Sequence, residues 1–380
     1  MLGVCFTLAN FDPFHRSTVD NLQLLLLCRE ADFKHFGHEK VFSPVISDLK
    51  ELETNGLNAH GNIVKATVFC ISGDNLGSHN NGGFTENFST CHYFCRNCHI
   101  TRSELDNLEH QAPIRTVQDH NDTVQEVQNG DAREVRGLKF NSVFNSLAFF
   151  HVCQLGLPPC IGHDLFEGVV ASDLAVYLNY FVKVKKFFTY SQLNRRIRQF
   201  SYQGSDCNST PSEVSEKGVK LGGQATENWC LLRLLPVIIG EKITDTENQA
   251  WQLTVQLKEV VELICAPKIS VPQVALLNVQ IRDYLEGKER VVSYTQTETK
   301  ASLPHSLPCI DTEIWPTNAV MDNAVRKQAF ILQKMCAKKT KFQKCMSNTR
   351  QEPPVATSIP TFRFLFCTFI GGEELHSFPC

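Results

Sequence analysis

Three cysteines, Cys91, Cys95 and Cys98, fall within eight residues. The Cys95-Arg-Asn-Cys98 spacing lets two thiolates face one tetrahedral zinc ion, which then needs two further ligands. Cys91, His92 and His99 are local candidates, and Cys160 and His163 more distant ones. The plainer alternative is a set of buried or free thiols. Upstream, Ile63 to Gly73 is a β-branched, mostly apolar run in which Val64, Ala66, Val68, Cys70 and Ser72 alternate with their neighbours. This is the pattern of one buried strand. Asp74 follows it, placing a carboxylate at the C-terminal edge of a strand, where α/β sheets tend to carry their sites. The alternative for Asp74 is a turn residue before Asn75.

A third feature is electrostatic. Residues 174 to 205 hold no acid but six bases, Lys183, Lys185, Lys186, Arg195, Arg196 and Arg198, interleaved with Phe187, Phe188, Tyr190, Phe200 and Tyr202. Cations among aromatics suit a phosphate backbone and stacked bases. An amphipathic helix with core aromatics and solvated cations has the same pattern. His163, Asp164 and Glu167 could form an acid–base or metal-dependent hydrolase set, but the further His and Asp residues such a site needs are not at usable spacings. A helix start with Asp164 on the positive end of the dipole accounts for them better. No P-loop, dinucleotide fingerprint, nucleophile elbow or His-Glu-x-x-His motif is present.

A strand ending in Gly73-Asp74-Asn75-Leu76-Gly77, an aromatic-rich stretch and then Cys95-x2-Cys98 resembles the second catalytic Asp and first zinc half-site of DDE transposases, the RNase H-like enzymes of cut-and-paste DNA elements. The likeness runs from about Gly3 to about Glu286 and includes Phe144-Asn145-Ser146, His163-Asp164-Leu165-Phe166-Glu167-Gly168 and Asn228-Trp229-Cys230-Leu231-Leu232-Arg233. The resemblance implies an α+β or α/β chain: a partial RNase H-like core, a large and mainly helical insertion, and an irregular C-terminal tail. It implies nuclear location, DNA as partner, zinc on Cys95 and Cys98, and magnesium only in a catalytic protein. DDE chemistry uses three carboxylates to hold two divalent cations about 4 Å apart. Only Asp74 maps onto that triad. The family's first Asp, on the central strand of the sheet, would precede Met1, so the chain reads as incomplete at its N-terminus. The family's Lys-His-His-type zinc half-site and final Glu are not recognisable. The expectation is a transposon-derived protein without transposase activity and with residual DNA binding. The alternatives are a metal-dependent recombinase or nuclease completed by another chain, and a zinc-stabilised protein-interaction module.

Composition sets the wider bounds. With 42% hydrophobic and 20% charged residues the chain is ordinary for a globular protein, and its net charge of −3 does not select a partner. Sixteen cysteines spread along 380 residues with no signal sequence suit reduced thiols and one metal site. The sequons at Asn87, Asn121 and Asn208 then carry no meaning. No run of about 18 apolar residues suggests a membrane span, and no small-molecule site is evident.

The elements that must position these groups read as follows. Residues 2–9 form a strand. Ser17 caps a helix to about Arg29 with Val19, Leu22, Leu25 and Leu26 on one face. A second helix covers 43–52. The core occupies 1–84, the cysteine segment 85–110, a flexible linker 111–136, the helical insertion 137–287 and a basic, divergent tail 288–380. Within the insertion, Trp229 to Ile239 is a helix ended by Gly240. Thr244-x-x-Glu247 caps a helix to Cys265, and Ser270 starts a third that Gly287 ends. In the tail, a basic helix-like stretch covers Met321 to Met346.

Overall fold

The computed structural model describes residues 2–16, 18–87, 90–106, 112–130, 132–301 and 361–370. The Ser17 cap, Gln111 of the linker, the basic stretch Met321 to Met346 and most of the tail lie outside the described residues. The chain is an α+β protein of two compact units divided at Cys160 and Ile161.

The first unit is built on a five-stranded sheet of order β2-β1-β5-β4-β3. Its elements in chain order are β1 (Leu2–Leu8), a one-turn helix α1 (Pro13–Arg16), β2 (Gln23–Cys28), α2 (Glu30–Thr54), β3 (Leu57–Ala59), β4 (Asn62–Gly73), α3 (Asn75–Gly82) and α4 (Val117–Asn129), with β5 (Thr361–Ile370) returning from the C-terminal region. β1 pairs antiparallel with β2, and β3 antiparallel with β4. The β4 strand is borne out and its alternation in part: Ala66, Val68 and Cys70 are buried, but Ile71 of the opposite set is buried as well, beyond a register shift between Val68 and Cys70. So is the helix expected at 43–52, whose Val45, Ile46 and Leu49 face the core beside Phe42. That helix is part of the longer α2, kinked at Gly37, where φ of +79° breaks the run. Near the end of α2, the Glu53 carboxylate accepts from Thr67 Oγ1 at 2.5 Å and from the Ala148 amide at 2.8 Å, tying helix, strand and loop together.

Three expectations are overturned in this unit. Leu24 to Leu27 lie in an edge strand, not a helix. A four-leucine run satisfies either period, and pairing to β1 decides between them. The segment read as a flexible linker contains α4. Thr116 and Asp119 form a reciprocal capping box at its start, and His120, Thr123 and Val124 are its buried face. The buried polar side chains hid that face from a hydrophobic pattern. Thr116→Ala is expected to lower stability by about 1 kcal/mol, read as a shifted urea midpoint with an unchanged slope. Finally, residues 361–370 of the tail, read as irregular, form the central strand.

The second unit is helical. α5 (Ala171–Asn179) is the middle of one continuous run from Ile161 to Val184 whose two ends are wound as π-helix. By length and composition that run is apolar enough to cross a membrane, which the sequence reading did not anticipate, yet two-thirds of its most apolar window is buried inside the protein. α6 (Tyr190–Gln199), α7 (Ala225–Ile239), α8 (Gln249–Cys265) and α9 (Val271–Ala301) complete the unit. Trp251, Leu257, Val261 and Ile264 are buried as expected. The α8 cap is Asn248, whose side chain accepts from the Ala250 and Trp251 amides, so the Thr244–Glu247 box does not form. Ser270 caps α9 together with Gln273. Gly287 does not end it: a Cβ there would sit 2.8 Å from the Leu253 side chain, so this glycine lets α9 approach α8. Residues 288–301, assigned to the irregular tail, continue the helix.

Candidate functional site

β4 delivers Asp74 to the end of the sheet, and the chain turns at once into α3. The Asp74 carboxylate caps that helix, accepting from the Gly77 amide at 2.5 Å. Its role in the fold is therefore the turn role that the sequence left open. At its other end α3 stops at Gly83, with φ of +74°, where a Cβ would collide with the Phe140 carbonyl oxygen. At this end of β4 the paired strand is β5, with Gly73 opposite Thr368. Its residues, Thr-Phe-Arg-Phe-Leu-Phe-Cys-Thr-Phe-Ile, include no carboxylate.

The cysteine segment lies in the same unit. Arg96 anchors it, donating to Asn75 Oδ1 at 2.9 Å and to the Pro158 carbonyl at 2.8 Å. Cys95 and Cys98 are buried with their sulfurs 3.4 Å apart. The Asn97 and Cys98 amides donate to Cys95 Sγ at 3.1 and 3.3 Å. This is an electron-rich pair of convergent sulfurs with backbone donors on one of them, which stabilises the thiolate that a metal requires. Arg115 clasps the loop from behind, donating through Nε to the Cys95 carbonyl at 3.0 Å and stacking 5.3 Å from the Phe84 centroid. Burial lowers its pKa, and the Cys95, Cys153 and Cys98 sulfurs oppose that shift.

His99 follows the pair. Its Nδ1 is buried without a hydrogen-bond partner and its Nε2 is 3.9 Å from Asp119. Burial, reinforced by the Arg115 charge, lowers its pKa. The Cys91 thiol is half-buried and pushed up by desolvation. Among the described residues no group of three or more His, Cys, Asp or Glu side chains is placed to hold a metal ion. Cys95 and Cys98 thus fit half of a tetrahedral zinc site, and the structure does not gather Cys91 or His99 with them into a group of three. Cys91, Cys95, Cys98 and Cys160 are free thiols, joined in no disulfide.

The basic stretch of the second unit is divided. Phe188 and Tyr190 are core residues, and Phe187 and Phe200 pack against the same core, so base stacking is closed to them. Acids from elsewhere in the unit meet some of the cations. Lys183 is 3.6 Å from Glu216, Arg198 pairs with Glu213, and Arg196 pairs with Glu241 while donating to the Ile238 carbonyl. Lys186 and Arg195 are exposed and Lys185 half-buried. Asp164 lies in the first turn of its helical run, as expected. Two motifs of the resemblance meet here: Phe166 stacks on Trp229 at 5.3 Å, and the Arg233 guanidinium lies over the Trp229 ring, 4.7 Å from its centroid.

Sequence reasoning missed one buried polar cluster, Asp173, Tyr177, Tyr284 and Lys288. The available signal was an acid inside an apolar run, with each pair of residues spaced i,i+4 on its helix. No protein-family model, curated protein or solved structure matches this chain.

Proposed function

We propose that this is a transposon-derived nuclear protein whose RNase H-like core is catalytically silent and whose remaining activity is DNA binding. The observation that carries the reading is the neighbourhood of Asp74. In the resembling fold the central strand bears the first catalytic carboxylate; here the central strand is β5, and residues 361–370 contain no Asp or Glu. One carboxylate engaged as a helix cap does not hold two divalent cations. The Cys95–Cys98 pair is the part of the family's zinc site that supports this reading, with Arg96 beside it tying the loop to Asn75 at the start of α3. The exposed Lys186 and Arg195 would meet phosphates.

The test combines three measurements on the full chain. Incubation of duplex DNA with magnesium or manganese is expected to leave it uncut, in the parent and in Asp74→Ala alike. Cleavage by the parent that Asp74→Ala abolishes would replace this reading with the enzyme completed by another chain. DNA affinity is expected to fall steeply with salt, and Lys186→Ala and Arg195→Ala each to reduce that slope by about one. Binding without salt dependence would point instead to a protein-interaction module. Elemental analysis is expected to find about one zinc per chain, lost in Cys95→Ser; metal-free parent protein would remove zinc from the proposal.

A further inference from the structure

The centre of the sheet is assembled from chain segments almost three hundred residues apart. β1 and β2 form one local antiparallel pair, and β3 and β4 another. β1 and β4 do not pair with each other; only β5 lies between them in the sheet order. It is antiparallel to β1, from Leu2↔Ile370 to Leu8↔Phe364. It is parallel to β4, from Lys65↔Thr361 to Gly73↔Thr368. Without β5 the sheet is two separate ribbons, each with an unpaired inner edge.

An unpaired edge is a template for any extended segment. A slot with an edge on each side asks only for about ten residues of extended backbone. Residues 361–370 suit it by composition, with β-branched and aromatic residues, no Gly or Pro and the single charge of Arg363. The same composition makes the segment self-associating when it is not paired. Chain connectivity favours the chain's own segment by an advantage that falls slowly as the closed loop lengthens, so a high concentration of second copies is needed to compete with it. A second copy offers the identical segment, able to take the identical register.

We propose that the gap between β1 and β4 is a strand-acceptor slot, and that residues 361–370 of a second copy enter it in exchange for the chain's own, giving a strand-exchanged dimer. This inference stands apart from the DNA-binding reading, because it rests only on strand pairing.

The register supplies its own probe. Cys5 and Cys367 are direct partners across β1 and β5. Residues directly opposite in antiparallel strands have Cα atoms about 4.5–5.5 Å apart, within disulfide range. Full-length protein of natural isotopic composition is mixed with an equal amount of 15N-labelled protein and held at high concentration. It is then diluted, oxidised with diamide and digested for mass mapping of cross-linked peptides. The expected product is a Cys5–Cys367 cross-link, absent in Cys367→Ser, whose mixed-isotope fraction rises with the concentration of the incubation. The mixed species should migrate as a dimer. Same-isotope pairs at every concentration would overturn exchange. Failure to form the Cys5–Cys367 link, while exposed Cys207 oxidises, would overturn occupation of the slot itself.

Discussion

Asp173→Ala is expected to lower the unfolding free energy by about 3–5 kcal/mol, the usual cost of removing one partner from a buried ion pair. Asp173 and Lys288 are 1% and 3% exposed, and the Lys288 ammonium donates to Asp173 Oδ1 at 2.5 Å. Asp173 Oδ2 accepts from the Tyr284 hydroxyl, which is 3.0 Å from the Tyr177 hydroxyl. Burial pushes the Lys288 pKa down and both tyrosines up, so the surroundings oppose an unpaired charge on any of them. Alanine at 173 would strand the lysine. The pairing also joins the helix of Asp173 to α9, so its loss should expose α9 to amide exchange first. The double variant Asp173→Leu/Lys288→Met removes both charges and is expected to recover most of the stability in urea unfolding. If the double variant is as unstable as the single one, the ion pair is not what holds α9.

Acid is expected to open the first unit before the second. Desolvation pushes His38 and His120 down to about 4 from 6.5. For His120 the neighbouring His151 and Arg115 add to the effect. A base whose pKa is depressed by folding takes up its proton more readily in the unfolded chain. The contribution is therefore fully present above about pH 6.5 and is lost as pH falls from there to about 4. At about 1.4 kcal/mol per unit, each of these buried imidazoles accounts for roughly 3 kcal/mol. His151 and His99 are shifted in the same direction by burial. Among the described residues the second unit holds one histidine, His163, but also Trp229 and Trp251. Tryptophan fluorescence should thus stay native at a pH where amide exchange in residues 30–160 has already accelerated. Simultaneous loss of both signals near pH 3 would show that the histidines do not control the transition.

The sequence made visible those parts of the molecule that bury apolar residues at a clean period. β4, the core face of α2 and the buried sides of α7 and α8 all belong to this group. What escaped has a common cause: it is held by pairing or polar groups. β2 is a leucine run that pairing, not periodicity, turns into a strand. α4 buries His120 and Thr123 where a pattern reader looks for aliphatics. The Asp173 cluster joins residues more than one hundred positions apart through hydrogen bonds. At the candidate site, the cysteine spacing announced the pair Cys95 and Cys98, but nothing local announced Arg96 or Arg115. Each acts through backbone carbonyls, which every sequence has.

The position of β5 also bears on how the protein is made. The ribosome releases β4 early and residues 361–370 last among the described strands. At about 5–20 residues per second, the two inner edges wait about 15–60 s for their partner. During that interval the nascent chain displays two open ribbons, while the helices from Ile161 to Ala301 emerge. A holdase chaperone acting on ribosome-bound chains would therefore find its target in the N-terminal unit, and the demand for it would end when the last strand emerges.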